Sequence, residues 1–335
     1  MLKTTEAVSL GHPDKTADFI SEYILDRVLE HDVRAKYAVE VMVKDSTIVL
    51  GGEVCGLIDL KNIEAYVKDA VRKIGYDEHY YQIWGNNALD VTNLKVINLI
   101  GCQSLEILQG VENGGWGDQG VFAGYACQGE GLLPRELFLA KKLNNALYQK
   151  ALKSDNLGLD IKTQVTLDEN GEVKTAIAAV PMLKNEDLKP FIEQTLGCPV
   201  DELIINGTGN YVCHSSVADC GITGRKLACD FYSTTCPVGG GSPWAKDASK
   251  ADVSLNILAR KLAVQNLKDN DEVFVYLSSC IGRSELPSAI LKTVKDGKIS
   301  WQNLEGDFSP QTVIKELELD KPVFADLCRK GITAL

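Results

Sequence analysis

Residues 11–29, GHPDKTADFISEYILDRVL, decide the fold, because they join a charged turn to a long amphipathic pattern. The free N–H groups and the dipole of a helix N-terminus favour an anion such as phosphate. Pro13 suits the first turn of a helix, so GHPDK is predicted to lie at such an N-terminus. The apolar residues that follow recur at helical spacing: Phe19, Ile20, Tyr23, Ile24, Val28 and Leu29.

The charged side chains of GHPDK suit the binding of a nucleotide phosphate. Lys15 adds a full positive charge, whereas Asp14 would repel phosphate unless a divalent cation lay between them. Magnesium is commonly bound in this way, by one or two carboxylates together with phosphate oxygens. His12 is then placed to donate a hydrogen bond to a departing oxygen. The alternative interpretation is a capped helix start with solvated charges.

The composition of the chain excludes several classes of protein. Of its 335 residues, 45% are apolar and 24% are charged, as in ordinary globular proteins. No apolar run approaches the roughly 20 residues of a membrane span, and no secretory signal is seen, so we expect a cytoplasmic protein without a membrane partner. The net charge of −11 argues against nucleic acid as a partner. Ten scattered cysteines without a C-x-x-C pair favour reduced thiols over disulfides or zinc.

The pattern along the chain predicts an α/β (α+β) protein of three comparable units, approximately 1–112, 113–205 and 206–335. The Asn170–Gly171 pair predicts a hairpin in the second unit. SPQTVIKELEL (309–319), with Ser309 as its cap, is predicted to be the last helix. Because no linker-like stretch separates the units, we expect them to share one core.

A glycine-rich stretch, GGWGDQG (114–120), allows close approach of a ligand to the backbone. Its carboxylate, Asp118, suits a ribose hydroxyl or an adenine amine. The alternative is an ordinary turn, since Gly-Asp pairs mostly mark turns.

The richest cationic segment spans residues 219–252. Its arginine and lysines, framed by glycines in an acidic chain, predict a cradle for a polyphosphate. The alternative, a helix start with solvated charges, accounts equally well for residues 246–252, but it does not account for the Gly-Arg-Lys run at 224–226. Neither GTGNYV (207–212) nor GITGRK (221–226) has the glycine spacing of a dinucleotide or P-loop site. The charged residues of the segment are Asp219, Arg225, Lys226, Lys246, Lys250 and Asp252.

Six segments in this order resemble the S-adenosylmethionine synthase (methionine adenosyltransferase) family over nearly the whole chain. They are TEAVSLGHPDK (5–15), GGE (51–53), GDQG (117–120), DIKTQVT (160–166), DCGITGRK (219–226) and GGGSPWAKDASKAD (239–252). The resemblance implies that methionine sulfur attacks C5′ of ATP and expels the triphosphate, which is then hydrolysed to pyrophosphate and phosphate. It also implies three similar α/β subdomains about a pseudo-threefold axis, with interleaved segments. Active sites would lie between the subunits of a homodimer, often paired into a tetramer.

The same resemblance implies a role for each site residue. Catalysis would involve His12, Asp118, Lys162, Arg225 and Lys246. ATP would also contact Lys15, Tyr211, Lys226 and Lys250. Methionine would contact Glu53, Gln103, Asp219 and Lys250. Asp14 and Asp252 would bind two Mg²⁺ ions per site, and Glu40 would bind K⁺.

Several positions depart from the family pattern. Leu10 replaces a customary glutamate before GHPDK, and Leu105 and Glu106 replace proline and aspartate in the gating loop. The charged set is intact, so we expect adenosyl transfer to be retained. Two alternatives stay open: a different thioether substrate, and a non-catalytic regulatory subunit.

Overall fold

The computed structural model describes residues 2–56, 60–102 and 114–334. The strands in these ranges are β1 (Lys3–Val8), β2 (Lys36–Lys44), β3 (Thr47–Cys55), β4 (Lys95–Cys102), β5 (Gly120–Cys127), β6 (Lys162–Leu167), β7 (Val173–Ala179), β8 (Glu202–Ile205), β9 (Gly221–Ile222), β10 (Glu272–Ser279), β11 (Ser288–Lys295) and β12 (Lys298–Asn303). The helices are α1 (Pro13–His31), α2 (Ile63–Ile74), α3 (Glu78–Trp84), α4 (Arg135–Ala151), α5 (Lys189–Leu196), α6 (Ser215–Ala218), α7 (Leu227–Asp230), α8 (Ala251–Leu267), α9 (Pro310–Glu316) and α10 (Phe324–Lys330).

The strands form three four-stranded sheets, in the orders β4-β3-β2-β9, β1-β6-β7-β8 and β12-β11-β10-β5. Each sheet combines three strands that are close in sequence with one from a distant segment. The distant strands β9, β1 and β5 each pair antiparallel with β2, β6 and β10, respectively. This exchange interleaves the chain and brings the residues before α1 next to β6. The predicted α/β class is confirmed, as is the hairpin at Asn170–Gly171 between β6 and β7.

Most of the core is one large apolar cluster to which all three sheets contribute. Helix α1 lies within it, and its predicted apolar residues are buried. A second, smaller cluster lies between α8 and the strands β5 and β10. In the described part of the chain, no helix is both long enough and apolar enough to cross a membrane.

Helix α1 also buries four acidic side chains at intervals of four residues, which we call the carboxylate row. None is more than 5% exposed. Spacing of four residues places them on one face of the helix. The row consists of Asp14, Asp18, Glu22 and Asp26.

Each member of the carboxylate row accepts hydrogen bonds from backbone N–H groups of a distant segment. The donors are Ile222 N to Asp14 (2.9 Å), Gly224 N to Asp18 (2.8 Å), Ala245 N to Glu22 (2.6 Å), and Phe324 N and Ala325 N to Asp26 (both 2.9 Å). These bonds satisfy backbone groups that would otherwise be buried without partners. One helix face therefore fixes the positions of three loops.

The structure corrects the prediction that the helix following Ser309 is the last one. A further helix, α10, packs against α1, and its first N–H groups bind Asp26. The helix α10 depends on these long-range contacts, which the local pattern of the short segment 324–330 does not reveal. Ser309 does occupy the cap position of α9, but its hydroxyl donates to the Thr312 hydroxyl (3.0 Å) rather than accepting from the backbone.

Burial raises the pKa of Glu22 well above its usual range, although the hydrogen bond from Ala245 partly opposes this shift. A carboxyl group whose pKa is higher in the folded state binds more protons when folded, so stability falls as pH rises above its unfolded pKa of about 4.3. Glutamine keeps the acceptor oxygen without the charge. We therefore expect the free energy of unfolding of Glu22→Gln to decline less than that of the parent between about pH 5 and pH 8.

Urea unfolding across this pH range measures the difference. Glu30→Gln, the same exchange at a more exposed position of α1, is the matched control. Parallel stability curves for the parent and Glu22→Gln would contradict a buried, destabilised carboxylate at this position.

Candidate active site

His12 occupies the N-cap position of α1, and its ring is held by the backbone of the helix. Its Nδ1 atom accepts a hydrogen bond from Asp14 N (3.2 Å), so the hydrogen of the neutral ring lies on Nε2. Burial, and then the charge of Lys226, lower the pKa of His12 to about 4. His12 is therefore neutral at pH 7 and has a hydrogen-bond donor at Nε2.

Asp14 connects the start of α1 to the cations of the loop after β9. Lys226 Nζ lies 2.5 Å and Arg225 Nε 3.6 Å from its carboxylate oxygens. Burial alone would raise the pKa of Asp14, but the hydrogen bonds from Lys226 and Ile222 lower it overall. The close approach of β9 to α1 requires glycine, since a Cβ at Gly221 would lie 2.1 Å from the carbonyl oxygen of Pro13.

A second group of charges lies at the start of α8. Lys246 Nζ is 2.5 Å from Asp252 Oδ2. Gly241 packs closely against this carboxylate, since a Cβ at its position would lie 1.9 Å from Asp252 Oδ1. Lys250, at the N-cap of α8, has a buried ammonium with no hydrogen-bond partner among the described residues. A buried charge without a partner is costly, so this arrangement favours an anionic ligand.

The two cationic loops touch each other. A Cβ at Gly224 would lie 3.2 Å from Ser242 Oγ. The carboxylate row fixes both loops, through Gly224 N on one and Ala245 N on the other. The structure therefore brings Arg225 and Lys226 to the same region as the start of α8.

Strand β6 supplies a third side of the site. Lys162 Nζ pairs with Glu6 of β1 at 2.8 Å. The charges of both Lys162 and Asp219 act on the pKa of His12, so these residues lie close to it. Tyr211 is half-buried. Burial, and then the charge of Asp160, raise the pKa of its hydroxyl.

Two acids of this region, Glu6 and Asp160, were not among the predicted site residues. Asp160 accepts a hydrogen bond from Ser215 N (2.9 Å), and burial raises its pKa to about 7. Both acids lie within segments that carry the family resemblance, TEAVSLGHPDK and DIKTQVT, and that position was the available signal.

Lys15 differs from the free cation expected from the sequence. Its ammonium is almost fully buried between Asp18 (3.0 Å) and Asp230 (2.8 Å) and lies 4.6 Å from the ring centre of Trp244. Trp244 Nε1 donates to the same Asp230 carboxylate (2.8 Å). Lys15 thus stabilises the interior beside the site. Its two neighbouring carboxylates also accept other hydrogen bonds, Asp18 from Gly224 N and Asp230 from Trp244.

The remaining predicted residues are Asp118, Glu53 and Glu40. Asp118 is exposed; its carboxylate accepts a hydrogen bond from Gln119 N, and its backbone carbonyl accepts one from the hydroxyl of Ser279 at the end of β10. Glu53 is exposed on β3, on the same open sheet face as Glu40, whose carboxylate accepts a hydrogen bond from the Thr223 hydroxyl. The predictions at Gln103, Leu105 and Glu106 fall outside the described residues.

The donor set suits magnesium only together with substrate oxygens. Within the described ranges, no group of three or more His, Cys, Asp or Glu side chains is arranged to hold a metal ion. Asp14 and Asp252 are each single carboxylates beside a lysine. Magnesium is commonly bound by one or two carboxylates plus phosphate oxygens, so these two residues fit that mode.

Comparison with known proteins agrees with this site. Models of the N-terminal, central and C-terminal domains of S-adenosylmethionine synthetase match residues 1–105, 113–213 and 213–334. An S-adenosylmethionine synthase of Helicobacter pylori (strain G27) is 32% identical, over 97% of this chain and 90% of its own length. S-adenosylmethionine synthase 2 of Rhodospirillum rubrum is 31% identical, over 98% and 91%.

A solved structure extends the similarity to the fold. An unusual S-adenosylmethionine synthetase from Campylobacter jejuni superposes with a TM-score of 0.87 at 28% identity, covering 100% of this chain and 95% of that one. The expected fold of three α/β subdomains is thereby confirmed. The chain belongs to the S-adenosylmethionine synthetase family.

Proposed function

We propose that this protein is a methionine adenosyltransferase that makes S-adenosylmethionine from ATP and L-methionine. The observation that carries the proposal is the group of cations on the two adjoining loops, which includes Lys226 near the neutral His12 and the buried ammonium of Lys250, for which the described residues supply no hydrogen-bond partner. In a chain of net charge −11, such a group suits a polyanion such as the triphosphate of ATP. The named relatives support the same activity.

The reaction needs alignment and charge stabilisation rather than a base. A lone pair on the methionine sulfur attacks C5′, the C5′–O5′ bond breaks, and its electron pair leaves with the triphosphate. A thioether carries no proton to remove, so the product is a sulfonium ion directly. His12 donates its Nε2 hydrogen to the departing oxygen, where negative charge develops. Water then cleaves the triphosphate to pyrophosphate and phosphate.

The cations of the two loops bind the triphosphate. Arg225 offers a planar fork for phosphate oxygens, and lysines act as point charges. Lys226 and Lys246, now paired with carboxylates, have phosphate oxygens as alternative partners. The described residues supply no such partner for Lys250. Lys15 acts as a positioning residue, since it holds Asp230 beneath the site.

The other proposed contacts concern the nucleoside, the amino acid and the metals. Lys162, Tyr211 and Asp118 bind the nucleoside and ATP, and Glu53, Gln103, Asp219 and Lys250 bind methionine. Asp14 and Asp252 hold Mg²⁺ and Glu40 holds K⁺. When bound, these metal ions neutralise phosphate charge.

A second copy of the chain completes the site in this proposal. Asp118 and Glu53 are exposed, so a second copy can contact them. The open face of the first sheet exposes Leu99 (65%) and Met42 (39%) and is flattened by Gly51. An exposed apolar face of this kind suits a homodimer. Two such dimers would form a tetramer.

Neither alternative function has an observation in its favour. Use of a different thioether would require different contacts from those proposed for methionine. One of these proposed contacts, Gln103, lies outside the described residues. A regulatory subunit has no need to keep the cations crowded around His12.

The activity is tested by incubating the protein with ATP, L-methionine, Mg²⁺ and K⁺. We expect S-adenosylmethionine, pyrophosphate and phosphate to form in equal amounts. Chromatography and mass spectrometry measure all three products. Formation of phosphate without the sulfonium product would contradict the proposal that methionine is the nucleophile. Absence of any turnover would contradict the proposal that the protein is an enzyme.

Replacing Arg225 tests the role of the cations in leaving-group stabilisation. The triphosphate gains charge as it departs, so we expect Arg225→Leu to lower kcat by about 10²-fold, while KM for methionine changes less than roughly threefold. Arg34→Leu is the matched control, since Arg34 is 91% exposed. A pure KM effect for Arg225→Leu in steady-state assays would contradict the assigned role.

A further inference from the structure

A cavity of about 810 Å³ lies between helix α4, the segment that leads into α1, and the C-terminal helix α10. Its size is within the range of small-molecule sites. None of the proposed triphosphate cations of the loops, Arg225, Lys226, Lys246 and Lys250, lines it. The cavity therefore shares none of these cations with the proposed active site, whereas Lys15 and Asp230 do line it.

The lining of the cavity is strongly cationic. Among the described lining residues, Asp230 is the one carboxylate, and it is already bound by Lys15 and by Trp244 Nε1. Lys15 and Lys330 are themselves ion-paired, with Asp18 and Asp230 and with Asp326, respectively. Among the described residues, Lys141, Lys142 and Arg329 have no carboxylate ion pair, and their charges concentrate anions locally. The cationic side chains that line the cavity are Lys15, Lys141, Lys142, Arg329 and Lys330.

The environment of Lys141 gives the strongest reason to expect an anionic ligand. Its ammonium donates to the Thr333 hydroxyl (2.6 Å) and to the carbonyl oxygen of Asp230 (3.2 Å), both of which are neutral acceptors. Burial lowers the pKa of Lys141 to about 8, and the charge of Asp230 offsets this only in part. The ammonium still carries its charge at pH 7, so a bound anion would compensate it.

The rest of the lining is apolar and suits the body of an organic molecule. Leu132, Leu133 and Phe138 face the same space as the cations, and Tyr148 contributes an aromatic ring. Lys142 Nζ lies 6.0 Å from the Phe138 ring centre, so a charge and an aromatic surface are adjacent. A ligand with an acid group and an apolar body would use both.

We propose that this cavity is a binding site for a small organic anion with an aromatic or apolar body, its acid group bound by Lys141 and Lys142. The site is independent of the proposed adenosyl transfer and rests on the charge, the volume and the mixed lining of the cavity.

A fluorescence titration tests the proposal with 8-anilinonaphthalene-1-sulfonate, an aromatic anion that brightens in apolar surroundings. We expect saturable binding at one site per chain. Reversal of one contacting charge, in Lys142→Glu, should weaken binding by at least about tenfold. Lys142 is exposed and lies on α4, so this exchange leaves the core intact.

Two controls separate this site from unspecific dye binding. Lys153→Glu makes the same charge change just after α4, at an exposed residue outside the cavity, and should alter affinity less than about twofold. N-phenyl-1-naphthylamine has the aromatic body without the sulfonate and should bind the parent at least about tenfold more weakly than the anion. Equal losses in the two lysine variants, equal binding of the uncharged dye, or no saturable binding would each overturn the proposal.

Discussion

Burial of four carboxylates along one face of helix α1 is the constraint on which the candidate site depends. Each carboxylate would be costly to bury alone, and each is compensated by backbone N–H groups from distant loops. Loss of one such acceptor would leave a buried donor unsatisfied, at a cost of about 1–3 kcal/mol. The carboxylate row therefore holds these loops against α1, and two of the loops carry the proposed substrate cations.

The same constraint explains how a strongly acidic protein keeps a group of cations ready for a polyanion. Lys226 is held by Asp14, and Lys246 by Asp252, so their positions are fixed while their charges are balanced. Lys250 is held by its place at the start of α8, without a recorded partner. Preorganised charges of this kind stabilise a leaving group without reorganising during the reaction.

Local sequence patterns predicted the elements of this fold better than the contacts between them. The apolar spacing in 19–29 predicted α1, and the Asn-Gly pair predicted the β6–β7 hairpin, because both signals arise within a few residues. The four-residue spacing of the acids was equally visible, but their burial depends on loops about 200 to 300 residues away. The burial of Lys15 and the existence of α10 depend on the same long-range contacts. The roles of the site residues came from the family resemblance, and in the proposed dimer a second copy would bring Asp118 and Glu53 to the site.

Hydrogen–deuterium exchange of residues 221–226 tests whether the carboxylate row orders the cationic loops. Asp18→Ala removes the acceptor of Gly224 N, so we expect this exchange to accelerate in the variant. The distant β11–β12 hairpin should keep its protection, and Asp69→Ala on the exposed side of α2 should change neither segment. Unchanged protection of 221–226 in Asp18→Ala, or an equal loss over the whole chain, would contradict the account.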